Sequence, residues 1–246
     1  MSVAVVTGGS RGIGAATCVA LAAAGYDVCV NYRADADAAA EVVRRCEARG
    51  RQATLVRADV AVEADVLAIF AAADALGSVA VLVNNAGIVD VASPVADLSV
   101  ARVERMMAVN VVGAFTAARE AVQRMSTSRG GAGGAIVNVS STGARIGSPN
   151  TYVDYAASKA AIETLTIGLA KEVAADGIRV NAIRPGIFDT EIHASGGQPD
   201  RAQQMAASIP LGRVGQPSEA ANAIVWLCSE EASYVTGAIL DVSGGR

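Results

Sequence analysis

The sequence predicts a doubly wound parallel sheet of seven strands, of the α/β class, with helices packed on both faces. Short apolar, β-branched runs alternate with stretches of helical periodicity along the whole chain. These runs lack polar alternation, which is typical of strands that are covered on both faces. Apolar residues make up 52% of the 246 residues, and no linker rich in Pro or Ser interrupts them. We therefore expect one three-layer α/β/α domain over residues 1–246.

The strands follow from the apolar runs, taken in chain order. The first run is Val3-Ala4-Val5-Val6, and a glycine-rich turn follows it. The later runs are equally short and continuous, as strands of a covered sheet should be. The seven strands are expected near 3–7, 27–31, 53–58, 79–84, 134–139, 178–183 and 236–241.

The helices follow from apolar residues spaced three or four positions apart. Val66, Phe70 and Ala73 share one face of the third helix in this way. The helices are expected over 12–24, 35–49, 63–76, 99–127, 152–176 and 217–230. The segment 186–215 shows neither period and is the one long insertion in the pattern.

Charge and hydropathy exclude several functional classes. Lys and Arg together number 20 and Asp and Glu 24, so the net charge is −4, and no run of like charge occurs. A general nucleic-acid binder or a protein of anionic membrane surfaces is therefore not expected. The longest uncharged stretches are 12–26, 75–89 and 130–144, each shorter than the roughly 20 apolar residues of a membrane span. The chain begins on a strand-like run without a basic leader, so we expect a cytoplasmic protein.

Cysteine and histidine usage argues against a metal site. The cysteines Cys18, Cys29, Cys46 and Cys228 are widely spaced, and His193 is the single histidine. We expect four buried thiols, with neither a disulfide framework nor a metal centre.

The first motif is a glycine-rich turn, Thr7-Gly8-Gly9-Ser10-Arg11-Gly12-Ile13-Gly14, between the first strand and the first helix. Phosphate binding requires backbone N–H groups at a helix N-terminus and glycines where side chains would block the ligand. In this interpretation Gly8 turns the chain, Gly12 admits a pyrophosphate, and Gly14 lets the helix approach the sheet. A plain tight turn is the alternative. The same residues also match the nucleophile elbow of α/β-hydrolases, with Ser10 as nucleophile and His193 as its base.

The second motif is Tyr155-Ala156-Ala157-Ser158-Lys159, near the start of a helix. A spacing of four places the phenol and the ammonium on one helix face. At about 4 Å and an effective dielectric constant near 20, their attraction is on the order of 4 kcal/mol, enough to lower the pKa of a tyrosine markedly. Tyr152 has Ala156 at the same spacing, so it is expected to be a packing or pocket residue.

Together, the motifs resemble those of the short-chain dehydrogenase/reductase family, from Val3 to Gly245. The resemblance implies a single Rossmann-type domain that transfers a hydride between a nicotinamide and a carbonyl or alcohol. Sugars and polyols, 3-oxoacyl thioesters, steroids and small ketones are all substrates of this family. The residues that carry the resemblance are the glycine turn, Asn84-Asn85-Ala86-Gly87, Asn110, Ser140-Ser141, Tyr155, Lys159 and Arg184-Pro185-Gly186.

The resemblance also implies catalytic roles. Tyr155 is the general acid in reduction and the general base in oxidation, while Lys159 lowers its pKa and holds the nicotinamide ribose. A hydroxyl after strand five binds the substrate oxygen. We assign it to Ser141, since the strand sets the register, although Thr142 has the usual spacing to the tyrosine and Ser140 is also near. Asn110 anchors a water molecule between Lys159 and solvent.

Further contacts are implied for the cofactor and the substrate. Tyr152 and His193 are expected to contact the substrate, and 186–215 is expected to be a mobile lid. The remaining cofactor contacts implied are Asp59 and Val60 at the adenine, Asn84, Ala86 and Gly87 along its ribose, and Pro185, Gly186, Ile187 and Thr190 near the nicotinamide and phosphates.

The end of strand two predicts which nicotinamide cofactor is used. A carboxylate at this point selects NAD by binding the ribose hydroxyls. Here the strand ends Val30-Asn31-Tyr32-Arg33, and the uncharged Asn31 would not repel a 2′-phosphate. Arg33 and Arg11 can supply guanidinium groups to that phosphate. Asp35 and Asp37 should belong to the next helix and its start. We therefore expect NADP(H) rather than NAD(H).

Two expectations concern the whole protein. Helices 99–127 and 152–176 carry more apolar residues than one sheet face can cover, which favours a homotetramer. The leading function is an NADP-dependent oxidoreductase for a small carbonyl or alcohol. The alternative is a non-catalytic cofactor sensor, which would not need the Ser, Tyr, Lys and Asn set.

Overall fold

The computed structural model describes residues 1–192, 196–198 and 200–246. Its centre is a seven-stranded sheet in the order β3-β2-β1-β4-β5-β6-β7, and every neighbouring pair is parallel. The predicted fold class is confirmed. The strands are β1 (Ser2–Val6), β2 (Asp27–Tyr32), β3 (Ala53–Arg57), β4 (Ser78–Asn84), β5 (Gly134–Val139), β6 (Ile178–Pro185) and β7 (Ile239–Val242).

Helices cover both faces of the sheet. They are α1 (Gly12–Ala23), α2 (Ala36–Glu47), α3 (Glu63–Leu76), α4 (Val100–Met107), α5 (Gly113–Met125), α6 (Gly143–Ile146), α7 (Val153–Val173), α8 (Arg201–Met205) and α9 (Pro217–Cys228). Among the described residues, no helix is both long and apolar enough to cross a membrane.

The core consists of two apolar layers, one on each face of the sheet. On one face, α1, α2 and α9 bury side chains such as Leu21, Ile224 and Leu227. On the other, α3, α5 and α7 bury Ile69, Phe70 and their neighbours. Since both faces are covered, β2 is buried along its full length and β1 from its second residue onward, which explains the continuous apolar runs in the sequence.

The predicted helix over 99–127 is wrong in one respect, because it is not a continuous α-helix. The chain forms α4, then a π-helical turn over Ala108–Val112, then α5. Such turns insert one residue into a helix and are frequent at functional sites. Periodicity could not show this, since apolar residues continue through the turn. The insertion 186–215 also contains the short helix α8 and a strand-like bridge between Phe188 and Gly215.

The strand order indicates where on the sheet a ligand would bind. The connections run outward in opposite directions from β1 and β4, which are neighbours in the sheet. In open parallel sheets, ligands bind in the crevice at the carboxyl ends of the strands that flank such a point. The glycine turn follows β1, and the segment 85–88 follows β4, so both lie at this crevice.

Candidate active site

A cavity of about 770 Å³ opens at the carboxyl ends of the strands. Of the predicted residues, Gly14, Asn84 and Asn110 do not line it, and His193 lies outside the described residues. The predicted residues that line it are Gly8, Ser10, Arg11, Gly12, Ile13, Asn31, Arg33, Asp59, Val60, Ala86, Gly87, Ser141, Tyr152, Tyr155, Lys159, Pro185, Gly186, Ile187 and Thr190.

The glycine turn needs its glycines for two different reasons. Gly8 and Gly12 have φ angles of +63° and +53°, which side-chain-bearing residues rarely adopt. A Cβ on Gly14 would lie 2.3 Å from the carbonyl oxygen of Gly8, so only glycine lets α1 begin this close to the turn. Gly14 therefore shapes the site from behind the cavity wall.

The N-terminus of α1 fits a phosphate group. Arg11 occupies the N-cap position, and no side chain caps the first-turn N–H groups. Those groups carry the positive end of the helix dipole. Gly12 and Ile13 of this first turn line the cavity. A pyrophosphate placed here would accept backbone hydrogen bonds, as dinucleotide sites at helix N-termini do.

Asn31 contributes to the glycine-turn end of the cavity through its hydrogen bonds, because its amide is buried rather than exposed. Its side chain is buried, its Oδ1 accepts a hydrogen bond from the Gly8 N–H at 3.1 Å, and its Nδ2 donates to the carbonyl of Ala58 at 3.0 Å. Asn31, at the end of β2, thus joins the glycine turn after β1 to the segment that follows β3.

Thr7 and Asn85 form a clamp that sequence reasoning did not identify. The Thr7 hydroxyl accepts hydrogen bonds from the backbone N–H groups of Asn85 and Ala86, each at 3.0 Å. The Asn85 amide in turn donates to the carbonyls of Thr7 and Gly8. The available signal was a pair of polar residues at the ends of adjacent parallel strands.

Ser141, Tyr155 and Lys159 lie together at the other end of the cavity. Ser141 lies beside Tyr155 and acts to lower the pKa of its phenol, and the Ser141 Oγ accepts a hydrogen bond from the Gly143 N–H at 3.0 Å. The Ser140 hydroxyl instead donates to Glu163 Oε1 at 2.7 Å. Of the two serines, Ser141 is thus the one that acts on the phenol.

Burial sets the pKa values of this pair. It raises the pKa of the Tyr155 phenol, opposed by the hydrogen bond from Ser141. Burial lowers the pKa of Lys159 to about 8. The Lys159 ammonium donates to the carbonyl of Val139 at 2.7 Å and lies 5.7 Å from the centre of the Tyr155 ring. The raised pKa of Tyr155 differs from the lowering expected from the sequence, because burial of the phenol is its largest cause and only Ser141 opposes it.

Asn110 projects from the π-helical turn and holds the loop after β4. Its Oδ1 accepts from the Ile88 N–H at 2.8 Å, and its Nδ2 donates to the Ile88 carbonyl and to the Ser158 hydroxyl, each at 3.0 Å. A Cβ on Gly87 would lie 3.3 Å from Lys159 Nζ and 3.5 Å from Asn110 Oδ1. The loop thus packs directly against the Lys159 ammonium.

Asn84 is turned into the sheet rather than toward the cavity. Its amide donates to Asn138 Oδ1 at 2.9 Å and to the Ala114 carbonyl at 3.2 Å. It ties β4 to β5 and to α5, beneath the site.

The two arginines expected at the adenosine end are both paired with acids. Arg33 forms an ion pair with Asp59 at 2.9 Å, and Arg11 forms one with Glu191 at 3.0 Å. Asp35 caps α2 by accepting a hydrogen bond from the Ala38 N–H. Both guanidinium groups remain largely exposed on the cavity wall.

Three further arginines line the cavity and were missed by sequence reasoning. They are Arg105, Arg201 and Arg246, which lie far apart in the chain and belong to no local motif. Arg201 stacks on the ring of Tyr152, with its guanidinium carbon 5.1 Å from the ring centre.

Comparisons with known proteins match nearly the whole chain. The family model described as enoyl-(acyl carrier protein) reductase matches residues 8–246. The chain is 53% identical to the uncharacterized oxidoreductase YgfF of Escherichia coli K12, over the full length of both. These oxidoreductase relatives remove the basis for the hydrolase alternative at Ser10.

Solved structures match over nearly the whole chain. A double mutant of a Serratia marcescens short-chain dehydrogenase/reductase has a TM-score of 0.90 and 35% identity, covering 99% of this chain and 97% of that one. A blue fluorescent protein from a metagenomic library, in complex with NADPH, has a TM-score of 0.89 and 37% identity, with coverages of 99% and 97%. The chain belongs to the short-chain dehydrogenase/reductase family.

Proposed function

We propose that this protein is an NADP(H)-dependent oxidoreductase that interconverts a small carbonyl compound and its alcohol, with Tyr155 as the general acid and base. One observation carries the proposal. Ser141, Tyr155 and Lys159 line one end of a cavity whose other end is the uncapped N-terminus of α1. A single domain of this kind would bind the cofactor along the strand ends, with 186–215 as its lid.

The chain's own residues would supply position and one proton. The Tyr155 phenol oxygen would donate a proton to the substrate oxygen in reduction and take it back in oxidation. Its raised pKa keeps the phenol protonated at neutral pH, which suits the donor role. The Ser141 hydroxyl would hydrogen-bond the same substrate oxygen as negative charge develops on it.

The cofactor assignment rests on the fit of the cavity. A nicotinamide dinucleotide supplies or accepts the hydride when bound. The first turn of α1 would hold its pyrophosphate, and Lys159 would hold the nicotinamide ribose. Arg33 and Arg11 would bind a 2′-phosphate, which favours NADP(H). The NADPH complex of a structural relative supports this choice.

Replacing Tyr155 with Phe tests the proposed chemistry, because the substitution removes only the hydroxyl. We expect kcat to fall at least about 100-fold, the lower range for general acid–base catalysis, while the affinity for NADPH stays nearly unchanged. A panel of carbonyls and alcohols, followed by nicotinamide absorbance, supplies the measurement. NADPH affinity is measured by fluorescence titration.

Tyr152→Phe is the matched control, since it removes a hydroxyl from the neighbouring tyrosine of the same cavity. Its effect should be much milder, because no general acid is lost. More than about a tenth of native activity in Tyr155→Phe would overturn the assignment. Cofactor binding without turnover of any panel compound by the native protein would favour the cofactor sensor instead.

A further inference from the structure

Among the residues that the structure describes, no acidic side chain pairs with the positive charge at the substrate end of the cavity. Arg201 and Arg246 line the cavity beside Tyr152 and Tyr155. The acidic residues that line the described cavity are Asp35, Asp59 and Glu191. Asp35 caps α2, and the other two pair with Arg33 and Arg11. All three acids therefore serve the adenosine and glycine-turn end.

Short helix α8 brings the two arginines side by side. Arg201 begins α8, and Met205 lies four residues later, on the same helix face. The Arg246 guanidinium contacts Met205 Sδ at 3.5 Å. Burial, and then the positive charge of Arg201, lower the pKa of Arg246, which agrees with this proximity. Two like charges thus share one wall of the cavity.

Neither guanidinium has an acidic partner among the residues that the structure describes. Arg201 donates to Gln198 Oε1 at 2.6 Å, and its guanidinium carbon lies over the Tyr152 ring. The four positions outside the described ranges are His193, Ala194, Ser195 and Pro199, and none of these residue types is acidic. Arg105 differs, because it lies 3.8 Å from Asp90. Arg201 and Arg246 therefore keep N–H donors that no carboxylate of the described chain occupies.

We propose that Arg201 and Arg246 form a carboxylate-binding subsite, so that the preferred substrate is a carbonyl or alcohol that also carries a carboxylate group. This deepens the proposed function and rests on it. Two adjacent guanidinium groups match the planar carboxylate, and the approach of an anion relieves their mutual repulsion. The cation–π contact with Tyr152 holds the Arg201 guanidinium at the cavity wall. Tyr152 stands three residues before Tyr155, which places the anion near the reacting carbonyl.

Matched pairs of aldehydes test the subsite. The aromatic pair is 4-carboxybenzaldehyde and its methyl ester, and the aliphatic pair is succinic semialdehyde and its methyl ester. With NADPH, kcat/KM of the native enzyme should be at least about tenfold higher for the acid in the better-accepted pair. Arg201→Gln and Arg246→Gln should each raise KM for the acid about tenfold and change that for the ester less than twofold, since one charged hydrogen-bonding group is lost.

Control variants separate this effect from general changes in charge or fold. Arg44→Gln removes an exposed arginine on α2, paired with Glu41 and outside the cavity, and should leave both kcat and KM unchanged. Arg246→Lys retains the charge without the planar fork and should recover part of the lost affinity. Equal kcat/KM for acid and ester in both pairs, unaffected by the glutamine variants, would overturn the proposal.

Calorimetry makes the result independent of turnover. The NADP-loaded native protein should bind 4-carboxybenzaldehyde or succinic semialdehyde at least ten times more tightly than the Arg201→Gln/Arg246→Gln variant does. Binding of neither acid, or equal binding by both proteins, overturns the subsite. Arginine-dependent binding without any reduction of the panel compounds would instead refute the proposed function while supporting the subsite.

Discussion

Tyr155 and Lys159 show how burial acts in opposite directions on two neighbouring side chains. Desolvation disfavours the charged form of each group, so it raises the pKa of the phenol and lowers that of the ammonium. The pKa values of the two groups therefore move apart, and the Ser141 hydroxyl acts on the phenol in the reverse direction. The site is thus shaped by water exclusion as much as by the pairing of charges.

The first prediction follows from the lowered pKa of Lys159. Its pKa is about 8 when folded and 10.5 in its ordinary state, so between these values the unfolded chain binds more protons. Burial of the Lys159 ammonium therefore lowers the unfolding free energy, and this loss is largest below pH 8. The unfolding free energy recovers as the pH rises from 8 to 10.5. Relative to Lys159→Met, the native protein should gain roughly 2 to 3 kcal/mol of unfolding free energy between pH 7 and pH 10.

Urea unfolding of both proteins at the two pH values measures this difference. The methionine variant cancels contributions from other titrating groups, since they are common to both proteins. A pH-independent difference in unfolding free energy between native protein and variant would show that Lys159 keeps its ordinary pKa in the fold.

A second prediction at the residue scale concerns cofactor choice. Arg33→Ala should raise KM for NADPH about tenfold and change KM for NADH less than twofold, because only NADPH carries the 2′-phosphate. Arg11→Ala should act in the same direction. Steady-state kinetics with both cofactors at a saturating carbonyl concentration measures the effect.

Arg44→Ala is the control for cofactor choice, since it removes a guanidinium on α2 that does not line the cavity. Preferential use of NADH by the native enzyme at matched low concentrations would refute the assignment. So would equal losses with both cofactors in the Arg33 variant.

At the scale of elements, close packing at the start of α1 fixes the cofactor end. A Cβ on Gly14 would meet the Gly8 carbonyl at 2.3 Å and the Asn85 amide at 2.5 Å. Gly14→Ala should therefore destabilise the protein by about 1 to 3 kcal/mol and raise KM for NADPH, because the turn must move away from the helix. Thermal unfolding and cofactor titration measure the two effects.

Gly168 in the middle of α7 offers a matched control for that substitution. A Cβ there has no neighbouring atom within 4 Å. Gly168→Ala should be neutral or should stabilise the protein by up to about 1 kcal/mol, since alanine favours helices. A Gly14→Ala variant as stable as Gly168→Ala would contradict the packing argument.

The π-helical turn between α4 and α5 positions a site residue in a way that the apolar periodicity of the sequence does not reveal. It presents Asn110, whose amide both donates to and accepts from the backbone of Ile88. The loop after β4 is thereby held against Lys159. A regular helix over the same residues would place this side chain differently, since a π turn shifts the helix phase.

At the scale of the whole molecule, apolar side chains remain exposed on the helices α4, α5 and α7. Val112 and Phe115 beside or within α5 are 54% and 49% exposed, and Val100 and Ile167 are also exposed. This supports the expected homotetramer of about four times 24.7 kDa. Light scattering at micromolar concentration should give that mass, and Phe115→Asp should reduce it.

Leu67→Asp is the control for the assembly, because Leu67 is a similarly exposed apolar residue of α3. It should leave the oligomer intact. A monomer in the native protein at micromolar concentration would refute the prediction.

The sequence by itself determined the architecture and the local motifs. The repeat period and the length of the apolar runs follow from the backbone geometry of strands and helices, so seven strands that alternate with helices could be predicted. The glycine turn and the pair Tyr155 and Lys159 were readable because each motif is contiguous or spans one helical turn. Asp35 was assigned to the start of α2, and it caps that helix.

Only the tertiary structure decided which distant residues meet. It brought Ser141 rather than Ser140 to the Tyr155 phenol, turned Asn84 into the sheet, and set Arg201 and Arg246 near each other. It also decided the direction of the Tyr155 pKa shift, which depends on burial by several elements. The physical reason is that desolvation and long-range pairing depend on the summed packing of the chain, whereas secondary-structure periods depend on neighbours along it.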